Sequence, residues 1–144
     1  MPNQIIYFSS NELENIVRGF NRCTLPKSSW THAAHLIIAL WYLTYYSESE
    51  AVNNIRDRIK KYNLAVGTEN TKDSGYHETI TLFWVKIIQQ YLATASVHNS
   101  FGENANNLVN LYENSALPLE YYSREYLMSW LARKNWVEPD LKPL

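Results

Sequence analysis

Thr31-His32-Ala33-Ala34-His35-Leu36-Ile37-Ile38-Ala39-Leu40-Trp41-Tyr42-Leu43 opens with polar residues and then runs apolar without a break from residue 36. No turn of a helix over residues 36–43 keeps a polar face, so the spacing predicts a buried central helix, about 31–46. A second stretch has the same design. Gly75-Tyr76-His77-Glu78-Thr79 leads into Ile80, Leu82, Phe83, Trp84, Val85, Ile87 and Ile88, which predicts another buried helix, about 76–97. Three of the four histidines and one carboxylate therefore stand at the heads of the two most apolar helices.

The other helices read as their surroundings. Ser9 and Glu12 fit a capping box, and Leu13, Ile16, Val17 and Phe20 follow at helical spacing to about Cys23. An amphipathic helix is expected over about 49–62, a fifth over about 103–113 burying Leu108, Leu111 and Tyr112, and a sixth over about 123–132. Residues 4–8 read as extended, a short strand or an arm lying on the domain. Residues 63–75 form the longest irregular segment, bounded by Gly67 and Gly75, and loops of that length tend to serve function. The tail 136–144 is extended. The expectation is a single all-α domain over residues 1–144, a helical bundle of five to six helices with two buried central ones.

Composition limits what such a domain does. The 144 residues are 46% hydrophobic and 19% charged, and 13 basic against 14 acidic side chains leave a net charge of -1. A protein living on phosphate contacts carries a clear basic excess, so nucleic acid is disfavoured. The longest apolar run, residues 36–46, is about half of the roughly 20 residues that span a bilayer. One cysteine suits a reducing compartment, and the first residues lack the pattern of a signal peptide. A soluble, cytoplasmic protein is expected, with no membrane partner and homo-oligomerisation left open.

The histidines carry the chemistry. His32 and His35 share a helix face at i, i+3, and a first-turn position disfavours imidazolium, which leaves the neutral form that binds metals. With His77 they would make a three-histidine set for one divalent transition metal (zinc, iron or manganese), leaving a position open for water. Glu78 points away from His77 on its helix and is cast as the proton-moving catalytic residue. Trp30, Arg56, Asn63, Asn70 and Tyr76 are the ligand-binding candidates, with Thr71 beside them. The reaction would be hydrolytic or oxidative. Competing readings are a metal-free pocket binding a small polar molecule through the same residues, a purely structural role for the histidines, and a protein-interaction module using the aromatic C-terminal region. Cys23 reads as a small core residue, His98 as a surface residue, and the basic stretch 56–61 as a solvated face.

The pattern Trp30-Thr31-His32-Ala33-Ala34-His35-Leu36, Tyr62-Asn63, Asn70-Thr71, Gly75-Tyr76-His77-Glu78-Thr79 and Trp136-Val137-Glu138-Pro139-Asp140-Leu141 resembles a family of small uncharacterised bacterial proteins. The resemblance covers about residue 20 to the end. It implies a one-domain helical protein in which these segments matter, and it implies no particular activity.

Overall fold

The computed structural model describes residues 5–144. It is all-helical: α1 (Ser10–Asn21), α2 (His32–Tyr45), α3 (Glu48–Ala65), α4 (Glu78–Thr94), α5 (Phe101–Leu111), α6 (Arg124–Leu127) and α7 (Trp130–Lys134), with 3-10 turns at Lys27–Ser29 and Leu117–Glu120. No strand occurs among the described residues. The helix ends follow capping chemistry. Ser9 caps α1 through the expected box, its hydroxyl accepting from the Glu12 amide while the Glu12 carboxylate accepts from the Ser9 amide. Ser100 caps α5 through the same kind of box with Glu103, and the Thr31 and Ser47 hydroxyls cap α2 and α3 by accepting from the Ala34 and Glu50 amides.

The apolar run of α2 has its predicted cause. This helix packs against α1, α3, α4 and α5, so the run over residues 36–43 is covered on every side. Leu36, Ile37, Ile38 and Leu40 are each at most 1% exposed. The second apolar helix is buried for another reason. α4 separates two hydrophobic clusters, giving Val85, Ile88 and Tyr91 to the main core. Phe83 and Ile87 go to a smaller core with Tyr122, Leu127, Ala132 and Val137. The small core is closed by buried polar bonds. The Tyr122 hydroxyl donates to the Val137 carbonyl at 2.7 Å, and the Thr79 hydroxyl donates to the Asn135 carbonyl at 2.7 Å while accepting from the Val137 amide. The extended tail is thereby tied to the first turn of α4.

Residues 5–8 form an arm, one of the two expectations for that segment; Gln4 lies outside the described residues. The arm rests on an asparagine ladder. Asn110 accepts from the Ile6 amide and donates to the Ile6 carbonyl, and Asn106 does the same for Phe8. Two asparagines four residues apart rise about 6 Å along a helix, close to the spacing of alternate residues in an extended chain.

Three expectations need correction. The sixth helix is two, α6 and α7, because Ser129 starts a new helix by accepting from the Ala132 amide. Leu111 is 65% exposed; Asn104, Ala105, Leu108 and Val109 fill that face of α5 instead. Cys23 is half-buried and carries a positive φ of 58°, closing α1 with the left-handed residue that usually follows a helix.

Candidate functional site

His77 is the N-cap of α4. Its Nδ1 accepts from the Ile80 amide at 3.1 Å, so the ring proton sits on Nε2, which donates to the Leu127 carbonyl at 2.7 Å. Both nitrogens are committed, and the side chain joins α4 to α6. Burial lowers its pKa; the bond to Leu127 opposes that shift and the charge of Arg133 adds to it.

His32 and His35 lie apart from it. His32 donates from Nε2 to the Tyr112 carbonyl at 2.8 Å, at the end of α5, and its ring meets Trp84 at 4.8 Å, well beyond the first turn of α4. His35 donates from Nδ1 back to the Thr31 carbonyl and stacks on Trp30 at 3.6 Å. Desolvation by neighbouring side chains lowers its pKa to about 4, although by surface area the residue is exposed to solvent. Both histidines line a cavity of only about 60 Å³ with Ile80, Thr81 and Trp84. The structure does not bring the three predicted metal ligands together. The two helices meet with the head of α2 beside residues 80–84 of α4, and the cap role turns His77 toward α6. Among the described residues no three His, Cys, Asp or Glu side chains gather at metal-binding spacing.

Glu78 is the centre of a different constellation. Arg56 grips its carboxylate with two bonds, Nε to Oε1 at 3.0 Å and Nη2 to Oε2 at 2.8 Å, and the Tyr76 hydroxyl donates to Oε1 at 2.6 Å. Burial alone would raise the carboxyl, but the Arg56 and Tyr76 hydrogen bonds and the Arg56 charge outweigh it and hold the pKa below the ordinary value. The same contacts raise Arg56, with the Glu78 hydrogen bond the largest cause. Burial, then the bond to Glu78, raises Tyr76.

The loop that delivers Tyr76 is folded around Asn70. Its Oδ1 accepts from the Asn63 side chain and from the Tyr76 amide, each at 3.0 Å, and its Nδ2 donates to the Lys60 carbonyl. The sharp return at Gly75 has φ +78°, and a Cβ there would come within 2.5 Å of the Glu69 carbonyl and 2.7 Å of Asn70 Oδ1. Only glycine fits. Arg133, from α7, clasps the outside of the turn by donating to the Gly75 and Tyr76 carbonyls.

These parts enclose a cavity of about 450 Å³, lined by Arg56, Lys60, Asn70, Thr71, Tyr76, Glu78, Trp130, Arg133 and Lys134. Of the predicted site residues, Arg56, Asn70, Tyr76 and Glu78 meet here. Asn63 is buried behind them and braces Asn70. Trp30 does not take part; it stacks between Phe20 and His35 and packs on the core. Lys60, Trp130, Arg133 and Lys134 were missed. Lys60 belongs to a stretch that reads as a solvated face, and the other three stand on a helix too short to show a period. A larger groove of about 840 Å³ runs between α4 and the tail. Its Lys86 and Lys142 are matched by Glu138 and Asp140, and it holds part of the 136–141 segment but none of the candidate metal, catalytic or ligand-binding residues.

No described helix is long and apolar enough to cross a membrane. Compared with known proteins, the chain matches no family model, no curated protein and no solved structure.

Proposed function

We propose that this protein binds a small polar molecule, without a metal, in the cavity between α3, the loop before α4, and α7. The observation that carries the reading is the convergence of Arg56, Asn70, Tyr76 and Glu78 on one concave space, each already held by hydrogen bonds. Pockets for small ligands fall in the range of roughly 300–1,000 Å³ and set a few fixed polar groups against an apolar wall; here the wall is Trp130. Preorganisation lowers the ordering cost of binding. Glu78 serves this reading as the anchor that aims Arg56 and Tyr76. A carboxylate held below its usual pKa is a weak base near neutral pH, where a general base works best with a pKa close to the operating pH.

Thermal shift with a panel of neutral and charged polar metabolites tests it. Trp130 is half-exposed at the rim, so Trp130→Ala leaves the fold standing. Some panel members are expected to raise the Tm of the wild type by several degrees, with the increment shrinking in Trp130→Ala. Flat Tm values across the panel, or increments of equal size in the variant, contradict the reading.

A further inference from the structure

The charges around this cavity do not balance. Arg56, Lys60, Arg133 and Lys134 line it against one carboxylate, Glu78, and that carboxylate is taken by Arg56. Lys60, Arg133 and Lys134 form no ion pair among the described residues. The two lysines are held by rings instead. The Lys60 ammonium lies 5.0 Å from the centre of the Tyr76 ring and that of Lys134 lies 6.0 Å from Trp130, so aromatic faces position both; Lys60 also acts on Glu78 through its charge, without a close ion pair. Arg133 reaches only carbonyls, and its Nε is sealed from solvent with no acceptor among the described residues. Three positive charges thus stand around one concavity in a protein whose net charge is -1.

From this we propose that the ligand is a small organic molecule carrying a multiply charged oxyanion, a phosphate monoester or a polycarboxylate, bound by Lys60, Arg133 and Lys134 with its organic part against Trp130. The inference rests on the pocket reading above and names its ligand class. A low-dielectric concavity focuses the field of like charges and favours an ion of opposite sign. Arginine offers planar donors to paired oxygens and lysine a point charge, and both chemistries suit phosphate and carboxylate. The volume exceeds what a bare phosphate fills, which is why an organic body is part of the proposal.

Isothermal titration calorimetry at low salt tests it with four probes: inorganic phosphate, citrate, ribose 5-phosphate and ribose. The expected result is saturable binding of ribose 5-phosphate or citrate, weaker binding of phosphate, and none of ribose. The bound member of that pair decides between phosphate ester and polycarboxylate. Affinity should fall about tenfold or more in Lys60→Gln or Lys134→Gln. Both variants leave the Gly75 clasp intact, so they fold even where Arg133→Gln does not. Lys142→Gln, beyond the cavity, should bind as the wild type does, and raising the salt should weaken binding. Ribose binding as tightly as ribose 5-phosphate overturns the charge class while leaving the pocket standing. Anion binding unaffected by Lys60→Gln and Lys134→Gln overturns the assignment to this cavity. Binding of none of the four probes overturns the ligand class, and the thermal-shift panel then decides the pocket separately.

Discussion

Each residue of Gly75-Tyr76-His77-Glu78-Thr79 has its own physical task. Gly75 supplies a positive φ and close backbone approach, Tyr76 and Arg56 fix Glu78, His77 caps α4 and holds α6, and Thr79 ties down the tail. The sequence marked this segment as important, but a histidine at a helix head looks the same whether it caps or ligates. The deciding fact is which partners its two nitrogens find, and one of them, Leu127, is 50 residues away. Replacing His77 with alanine removes a cap and leaves the buried Leu127 carbonyl unmatched, a cost of roughly 1–3 kcal/mol in urea unfolding. The pH dependence follows from its lowered pKa and that of His35, which is held at about 4 against an ordinary 6.5. Below pH 6.5 the unfolded chain takes up more protons than the folded one. Stability is therefore full above that value and falls as the pH drops toward 4. Glu78 acts lower on the scale, contributing above its unfolded value of about 4.5 and losing that contribution as pH falls through its lower folded value. Unfolding measured at pH 7.5, 6 and 5 should show His77→Ala with a shallower pH slope than the wild type; equal slopes contradict the burial of a neutral His77.

At the scale of elements, the two apolar helices were legible because residues 36–43 of α2 are covered all round and α4 gives one apolar face to each of two cores, leaving exposed a narrow strip at Lys86, Gln90 and Ala93. Which neighbours cover each face was not legible, since covering by four helices and covering by two separate cores give the same composition. A three-histidine set requires the heads of the two apolar helices to converge. The actual arrangement sets His32 beside Trp84, past the first turn of α4, and the heads part company. Hydrophobic lettering also misleads at an end: Leu111 sits at a plausible core position yet closes α5 in solvent. The two-core arrangement makes a clear prediction. Phe83 is fully buried in the smaller core, so Phe83→Ala should cost about 3–5 kcal/mol in chemical denaturation, whereas Leu111→Ala should stay within about 0.5 kcal/mol. A small loss for Phe83→Ala would mean that the tail and α6–α7 are not packed as a core.

Across the whole molecule, near-zero net charge conceals an uneven distribution. An overall -1 argues against a nucleic-acid surface, yet Lys60, Arg133 and Lys134 come from positions up to 74 residues apart to face one cavity. No counting of charges along the chain would find that grouping, because α7 meets the loop before α4 only in the folded chain, where Arg133 bonds to carbonyls 57 and 58 residues away. Arg56, Asn70, Tyr76 and Glu78 were recoverable as candidates because they flank or belong to the polar segments; the cations that give the cavity its sign were not. The most direct test of the central claim is a map of backbone amide resonances as ribose 5-phosphate and citrate are titrated into the protein. The account predicts saturable shifts concentrated at residues 69–78 and 130–134 and on α3 around Arg56 and Lys60. Saturable shifts along the α4–tail groove instead, or a spectrum that does not move with either probe, would contradict it.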